Sequence, residues 1–279
     1  MKIALGTVQW GLNYGISNLN GIPPDDEIKL IIDYAFESGI SLIDTASAYG
    51  NAENRIGNFF KEKLNIVTKV ASISYENSIE NQISNSLKNL KINSIYGCLF
   101  HNVEELIKDP TLWNAIQNQK QSGKILKVGY SLYSPIQLEK LLELNYIPEI
   151  VQIPFNILDR RFEPYFGKLK KLGVEIHIRS IFLQGLLLDF EIMNNSYFTQ
   201  WDNIWENYSS WIKKDNFNCI EACLSHVQSY SEISKIVIGV TKKSELEAIL
   251  NASFKKSIKA PEFLISNDER LINPTFWNL

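Results

Sequence analysis

Four residues able to transfer protons or form ion pairs, Asp44, Tyr49, Lys69 and His101, stand at or just after the end of a short apolar run. The segments are SLIDTASAYG at 41–50, NIVTKV at 65–70 and GCLFHN at 97–102, and each gap between them can hold one helix. Strands that alternate with helices are parallel, and parallel strands place their carboxyl ends on the same side. We therefore expect the four side chains to meet at one edge of a sheet or barrel.

Such a group of side chains suits proton transfer to a carbonyl oxygen. Tyrosine has an ordinary pKa of about 10, and a neighbouring ammonium ion would lower it, so Lys69 is predicted to make Tyr49 a proton donor near physiological pH. Asp44 would keep the ammonium charged, and His101 would orient the same substrate oxygen. Taken singly, each residue also has a structural explanation, such as a turn cap for Asp44 or a solvated strand end for Lys69. Together they favour a functional site.

A hydride must accompany that proton if a carbonyl is to be reduced, and no side chain supplies one, so a nicotinamide cofactor is implied. The sequence has no GxGxxG pattern, because Gly6, Gly11 and Gly15 do not have that spacing. A barrel would instead hold the cofactor phosphates in the loops after its seventh and eighth strands, here about residues 179–185 and 239–244.

The strands and helices that must position these residues follow from hydrophobic periodicity. Eight apolar runs predict strands at 2–5, 42–44, 66–68, 95–100, 125–128, 150–153, 175–178 and 235–238. Helical periodicity predicts helices at 25–38, 51–63, 76–90, 112–122, 135–144, 165–172, 217–228 and 243–250. A chain of 279 residues with 45% hydrophobic content can close one barrel, and no stretch has the composition of a linker. We predict an α/β fold, a single (α/β)8 TIM barrel domain over residues 1–279.

The connection between the predicted seventh strand and the helix at 217–228 is longer than the others and contains an aromatic-rich insertion at about 190–215. It carries Tyr197, Phe198, Trp201, Trp205, Tyr208 and Trp211. The spacing of residues 201, 205 and 208 puts three aromatic side chains on one face of a helix. Both an extra helix packed on the barrel and a flap over substrate or cofactor are compatible with this pattern.

Composition limits the class of partner. The formal net charge is −3 and lysines are spread along the chain, which argues against a nucleic-acid binder. No apolar span is long enough for a membrane helix, so we expect a soluble cytoplasmic protein that acts on a small molecule, with its oligomeric state undecided. Only three cysteines are present, which suits a reducing compartment. Cys219, Cys223 and His226 have the spacing of a buried helix face, so we predict no metal site.

Several stretches make a family resemblance specific. DTASAYGNAENRIG at 44–57, TK at 68–69, FHN at 100–102, VGYS at 128–131 and VQIPFN at 151–156 resemble motifs of the aldo-keto reductase family. LGTVQWG at 5–11, RSIFLQGLL at 179–187 and VIGVTKKSELE at 237–247 extend the resemblance nearly end to end. The chain is identified as a bacterial member of this family with an unknown substrate. The resemblance implies an (α/β)8 barrel that reduces aldehydes or ketones with NADPH, NADH being the alternative, and Tyr49 as the general acid beside Lys69, Asp44 and His101.

The resemblance also implies binding roles outside that group. The cofactor would be bound by Gly6, Thr7, Asp44, Ser131, Gln152, Arg179, Ser180, Phe182, Gln184, Gly185, Gly239, Val240, Thr241, Lys242 and Glu247. The substrate would be bound by Trp10, Tyr14, Tyr49, His101 and Asn102, with Tyr75 and the aromatic insertion as further pocket walls. Ser131 and Gln152 would hold the carboxamide, and Arg179 takes the position whose side chain stacks on the nicotinamide.

Some positions depart from the family pattern. Leu132 replaces an asparagine, which removes one carboxamide hydrogen bond, and Arg179 stands where an aromatic residue is common. Ala248 and Ile249 replace a Glu-Asn pair, so recognition of the 2′-phosphate would depend on Lys242 or Lys243. VQIPFN and RSIFLQGLL resemble bacterial members associated with sugar metabolism, which suggests a sugar-like carbonyl substrate.

Two other functions remain open from the sequence. A Schiff-base aldolase would use Lys69 as its nucleophile, although Asp44 beside it should keep the amine protonated. A nicotinamide-binding regulatory or sensor subunit would keep the cofactor site with little turnover. Borohydride trapping on Lys69 would identify the aldolase, and cofactor binding without turnover would identify the sensor.

Overall fold

The strands close into a parallel barrel in the computed structural model, which describes residues 2–74 and 76–278. They are β1 (Ile3–Gly6), β2 (Leu42–Asp44), β3 (Asn65–Val70), β4 (Ile95–Phe100), β5 (Ile125–Ser131), β6 (Ile150–Pro154), β7 (Glu175–Arg179) and β8 (Ile233–Gly239). Each pairs in parallel with the next along the chain, and β8 pairs with β1. The predicted (α/β)8 TIM barrel is confirmed.

Most helices connect successive strands, and the last two follow β8. They are α1 (Asp25–Glu37), α2 (Ala52–Phe59), α3 (Ile79–Leu90), α4 (Val103–Lys108), α5 (Thr111–Gln121), α6 (Pro135–Glu143), α7 (Phe166–Lys171), α8 (Phe190–Met193), α9 (Asp202–Asp215), α10 (Cys219–Gln228), α11 (Lys243–Ala252) and α12 (Glu269–Ile272). Each helix expected from periodicity has a counterpart with shifted ends. Helix α2 stops earlier than predicted because Phe60 takes an extended conformation.

Local sequence accounts for the helix positions, as α3 illustrates. The Ser78 hydroxyl caps the helix by accepting from the amide of Asn81, and Lys91 ends it in the left-handed conformation with φ of 57°. Ile79, Ile83 and Leu90 form its buried face and pack in the core between strands and helices. Burial of such a face supplies most of a helix's stability in a folded protein.

The barrel interior holds a second layer of apolar side chains. Leu42, Val67, Leu99, Ile150 and Val237 contribute to a cluster separate from the main core. Side chains two residues apart point to the same face of a strand, so Asp44 follows Leu42 into the interior and Lys69 follows Val67. The strands therefore carry these two charged residues to the carboxyl end of the barrel, directly above the apolar layer.

A polar network occupies the opposite, amino-terminal end of the barrel. The Tyr96 hydroxyl donates to Glu175 at 2.7 Å, Lys127 donates to both of these side chains, and His177 Nε2 lies 3.2 Å from the second Glu175 oxygen. Burial alone would raise the pKa of Glu175, but hydrogen bonds from His177, Lys127 and Tyr96 lower it to about 2. This carboxylate therefore remains charged at neutral pH.

The aromatic-rich insertion folds as helices against the barrel. Trp205, Tyr208 and Trp211 of α9 are buried in a second hydrophobic cluster together with Trp201. The Tyr208 hydroxyl donates to the carbonyl oxygen of Leu187 at 2.8 Å. Buried aromatic side chains with satisfied polar tips are typical of a structural helix, so the arrangement favours the packed helix over the flap.

The cysteine and histidine residues of α10 are part of the packing. Cys223 and His226 are buried, and the amide of Ala260 donates to His226 Nδ1 at 3.1 Å. His226 also stacks on Phe155, with 5.3 Å between ring centroids. Along residues 2–74 and 76–278, no helix combines the length and the apolar character needed to cross a membrane.

Candidate active site

A buried ion pair lies at the carboxyl end of β2 and β3. Lys69 Nζ donates to Asp44 Oδ1 at 2.6 Å and to the carbonyl oxygen of Thr45 at 2.8 Å. Lys69 is 1% exposed and Asp44 is 3% exposed. Burial opposes the charged form of Lys69, but attraction to Asp44 and hydrogen bonding to Asp44 and Tyr49 raise the pKa of the ammonium above its ordinary value. Lys69 is therefore a fixed positive charge at neutral pH.

Tyr49 and His101 lie next to this pair, on the loops after β2 and β4. Lys69 Nζ is 5.1 Å from the centroid of the Tyr49 ring. The Tyr49 and His101 rings meet edge to face, with 5.7 Å between centroids and 81° between planes. The strands thus bring together all four residues that the sequence predicted to converge.

The pKa of Tyr49 differs in direction from the sequence-based expectation. Burial raises it above the ordinary value, and this effect exceeds the lowering by the Lys69 ammonium. The expectation that the Lys69 ammonium lowers the pKa of Tyr49 toward physiological pH is wrong, because the charged neighbour can be inferred from the sequence but the burial of the phenol cannot. Tyr49 keeps its proton at neutral pH and is stored in the acid form.

His101 is neutral over the same range. Burial lowers the pKa of His101 to about 4, and the positive charges of Lys69 and Arg179 act in the same direction. A neutral imidazole can donate one hydrogen bond without adding charge to the site. The arrangement therefore provides one proton donor in Tyr49 and one neutral hydrogen-bonding group in His101.

Sequence reasoning missed the second contact of Asp44. Gln152 Nε2, in β6, donates to Asp44 Oδ2 at 2.6 Å, across the barrel interior. The resemblance assigned Gln152 to the carboxamide of the cofactor, and the structure also makes it the group that fixes the Asp44 carboxylate. A glutamine near the end of a predicted strand indicated a polar residue at the site. Its contact with Asp44 could not be predicted, because the two side chains face each other only when the barrel is closed.

The four residues are associated with a cavity of about 570 Å³ at the carboxyl ends of the strands. Asp44, Tyr49 and His101 line it, and Lys69 lies buried behind them. The cavity also contains most of the cofactor positions named from the sequence, namely Gly6, Thr7, Ser131, Gln152, Arg179, Ser180, Phe182, Gln184, Gly185, Gly239, Val240 and Thr241, as well as Tyr14. The volume is within the usual range for small-ligand sites.

Besides Lys69, the binding residues Trp10, Asn102, Lys242 and Glu247 named from the sequence do not line this cavity. Trp10 is fully buried in the main core, where its indole donates to the carbonyl oxygen of Val240. Asn102 caps α4 by accepting from the amide of Glu104. Lys242 is exposed at the start of α11, and Glu247 pairs with Lys243 on the helix surface. Tyr75, named as a pocket wall, lies outside the described residues.

The structure adds lining residues that sequence reasoning did not name. Tyr133, just after β5, lies under the Arg179 guanidinium, with 4.4 Å from Cζ to the ring centroid. Ser17 and Asn18 reach the cavity from the loop between β1 and α1. The position of Tyr133 two residues after a strand could have indicated it, whereas the loop residues carry no comparable signal.

The loop after β7 holds a strained conformation at the cavity. Ser180, Leu183 and Gln184 have φ of 62°, 47° and 55°, in the left-handed region that non-glycine residues rarely adopt. Gln184 Nε2 donates to the Tyr14 hydroxyl at 3.1 Å, and its carbonyl oxygen accepts from Ser17 at 3.3 Å. Strain of this kind persists where surrounding contacts enforce it and is common at ligand sites.

Comparison with protein families identifies this barrel. The model of the aldo/keto reductase family matches residues 2–263. The chain belongs to the aldo/keto reductase family.

Relatives of this family member are distant in sequence. A chloroplastic pyridoxal reductase of Arabidopsis thaliana is 27% identical over 206 residues, covering 64% of this chain and 55% of the relative. An L-glyceraldehyde 3-phosphate reductase of Escherichia coli K12 is 27% identical over 211 residues, covering 66% of this chain and 60% of the relative. The matches therefore span less than two thirds of these relatives' lengths.

Solved structures of the same family share the fold of this chain. An aldo-keto reductase of Bacillus halodurans, in its holo form, has a TM-score of 0.73 at 18% identity, covering 93% of this chain and 88% of that chain. A glycerol dehydrogenase of Gluconobacter oxydans has a TM-score of 0.72 at 21% identity, covering 92% and 88%. At these identities the likeness concerns the barrel architecture alone.

Two glycines in the cavity lining of this aldo/keto reductase family chain leave no room for a side chain. Gly185 has φ of 97°, and a Cβ there would lie 2.0 Å from the Ser17 hydroxyl. A Cβ on Gly239 would lie 2.5 Å from Gln9 Oε1. The amides of Thr241, Lys242 and Lys243 at the start of α11 already donate to the carboxylates of Glu245 and Glu27. The cavity, with the polar side chains of Ser131, Gln152 and Ser180 in its lining, is compatible with a dinucleotide.

Proposed function

We propose that this protein reduces an aldehyde or ketone to the alcohol, with NADPH as hydride donor and Tyr49 as general acid. The observation that carries the proposal is the buried Lys69–Asp44 pair, with Nζ 2.6 Å from Oδ1, beside a protonated Tyr49 in one cavity. A fixed ammonium next to a phenol stabilises the phenolate that remains after proton transfer.

Each of the four side chains has a distinct role in this proposal. Tyr49 donates its hydroxyl proton to the carbonyl oxygen as that oxygen gains negative charge. Lys69 stabilises the phenolate formed, and Asp44 keeps Lys69 charged and in place. His101, neutral at physiological pH, donates a hydrogen bond to the same oxygen and orients it.

The remaining residues of the cavity would hold the cofactor, which supplies the hydride that no side chain can supply. Ser131 and Gln152 are assigned to the carboxamide, and the loops at 180–185 and 239–241, most of whose residues line the cavity, to the phosphates. Lys242, exposed beside this part of the cavity, is assigned to the 2′-phosphate. NADPH is proposed over NADH on that positive charge.

The test begins with fluorescence titration of NADPH and NADH. It continues with the loss of NADPH absorbance on aromatic and sugar aldehydes. We expect turnover with NADPH, and we expect Tyr49→Phe to lower kcat by on the order of 10²-fold while cofactor affinity stays unchanged. Tyr49→Phe with near-normal turnover would refute the assigned role. Cofactor binding without turnover on any carbonyl would favour the sensor subunit.

The aldolase alternative is disfavoured by the charge state of Lys69. Schiff-base formation needs a neutral amine, and contacts with Asp44 raise the pKa of Lys69 above its ordinary value. A covalent substrate adduct on Lys69 after borohydride treatment would reverse this assignment.

A further inference from the structure

A second cavity lies outside the catalytic site, between α3, α4 and α5. Its volume is about 670 Å³, within the usual range for small-ligand sites. The loop after β3 contributes Ile73 and Ser74 to its lining. Among residues 2–74 and 76–278, none lines both this cavity and the catalytic one. We call it the outer cavity.

Gln119, in α5, carries a buried acceptor in the lining of the outer cavity. The residue is 9% exposed, and its side-chain carbonyl oxygen has no hydrogen-bond donor within the two described ranges of the chain. A buried acceptor without a donor costs free energy, and native proteins keep few such groups. A ligand that brings an N–H group into this cavity would satisfy the oxygen.

Glu105, in α4, places a half-buried carboxylate in the same lining. Its Oε2 accepts from the amide of Ile73 at 2.9 Å, which orients the side chain and leaves the other oxygen for a ligand. In the part of the chain that the structure describes, no lysine, arginine or histidine forms an ion pair with Glu105. A half-buried carboxylate held in this way is suited to a cation from outside.

The remaining lining favours a cation that has an apolar part. Glu80 and Asp109 add two carboxylates, and Lys108 adds the one ammonium among the described lining residues. Glu80 lies 3.5 Å from Lys124 and is partly compensated, but the balance of charge stays negative. The lining also has four apolar side chains, those of Ile73, Ile79, Leu112 and Ala115.

We propose that the outer cavity binds a small organic cation, an ammonium group attached to an apolar body. The ammonium donates to Glu105 and to the carbonyl oxygen of Gln119, and the apolar body packs on the apolar side chains of the lining. The inference does not depend on the proposed reductase function. The segments after β3 and β4 contribute to this lining, so the site adjoins the elements that carry Lys69 and His101.

Calorimetric titration of the full chain with 2-phenylethylamine, 2-phenylethanol and phenylacetate tests the proposal. The three compounds have similar shapes and carry a positive charge, no charge and a negative charge. We expect the amine to bind with a Kd of about 1 mM or tighter, about 10-fold or more tighter than the alcohol, and phenylacetate to bind weakest. No measurable binding of the amine, or amine binding no tighter than that of either other compound, would overturn the proposal.

Two substitutions in the lining and one control assign the binding to the outer cavity. Glu105→Gln removes the charge but keeps an oxygen that can accept from the Ile73 amide, and it should remove the preference for the amine. Gln119→Leu should weaken amine binding by about 5-fold, while its free energy of unfolding in urea stays unchanged or rises, because the change removes a buried acceptor without a partner. Glu37→Gln, which changes an exposed acid of α1, should leave the preference intact. Amine binding that survives in either lining variant, or that falls equally in Glu37→Gln, would contradict the assignment.

Titration of the amine in the presence of saturating NADPH separates the outer cavity from the catalytic one. Because the two cavities share no described lining residue, amine affinity should change by less than about threefold. Displacement of the amine by NADPH would place it in the catalytic cavity and refute the inference. If NADPH does not bind, the proposed function fails, and the comparison of the lining variants with Glu37→Gln still decides the inference.

Discussion

Replacing Lys69 with methionine tests the proposed chemistry most directly. Methionine fills similar space without charge, so the phenolate of Tyr49 loses its neighbouring cation. Taking the 5.1 Å from Nζ to the Tyr49 ring as the separation and an effective dielectric constant of about 20, that cation contributes about 3 kcal/mol. At about 1.4 kcal/mol per factor of ten, we expect kcat for aldehyde reduction to fall by on the order of 10²-fold. The assay is NADPH oxidation at saturating substrate.

The same substitution leaves Asp44 buried without its partner, so stability must be measured with activity. Removal of one member of a buried ion pair costs about 3–5 kcal/mol, which urea unfolding would detect. The double variant Asp44→Asn, Lys69→Met removes the uncompensated charge, and Gln152 can still donate to the asparagine oxygen. We expect the double variant to recover most of the stability but little of the activity.

Lys127 offers a matched control at the other end of the barrel. Lys127→Met breaks a lysine–carboxylate contact with Glu175 that is far from Tyr49 in the fold. We expect it to lower stability while leaving kcat close to that of the wild type. If Lys69→Met retains kcat within about threefold of the wild type, or if both lysine variants lose activity in proportion to stability, the proposed coupling of Lys69 and Tyr49 is refuted.

Three further predictions concern acid stability, the cofactor loop and the aromatic insertion. Burial lowers the pKa of His101 from an ordinary 6.5 to about 4 in the folded state. The unfolded chain therefore binds this proton first as the pH falls from about 6.5 to about 4, and the protein loses stability over that range. The melting temperature of His101→Gln should fall less than that of the wild type over the same range. Gly185→Ala should weaken NADPH binding by about 10-fold, whereas Gly173→Ala, also at positive φ but facing open space, should leave binding unchanged in the same titration. Trp205→Ala should lower the free energy of unfolding, measured in urea, by about 3–5 kcal/mol and leave KM unchanged. A rise in KM without loss of stability would instead support the interpretation of the insertion as a flap.

The sequence predicted the barrel and the meeting of four side chains because both depend on local patterns. Apolar runs and helical periodicity set the order of the elements, and parallel strands put Asp44 and Lys69 at the same end. The extents of strands were less predictable. β5 and β7 continue to Ser131 and Arg179, because pairing with neighbouring strands extends them beyond their apolar runs.

Contacts between distant loops could not be predicted in this way. Trp10 is aromatic and close to a predicted site in sequence, but a short turn directs its indole to the carbonyl oxygen of Val240. Gln152 has a partner on a strand that is remote along the chain. Each of these contacts forms only when the barrel closes. The local sequence pattern does not show which distant atoms then face each other.

In the proposed mechanism, burial and charge have opposite effects on the acid Tyr49. The ammonium of Lys69 and the depth of the site act in opposite directions on the pKa of Tyr49, and burial exceeds the charge. At neutral pH the phenol is therefore protonated, which is the form that reduction of a carbonyl requires. Exclusion of water from this part of the site thus strengthens the Lys69–Asp44 attraction and keeps the proposed acid in its proton-donating form.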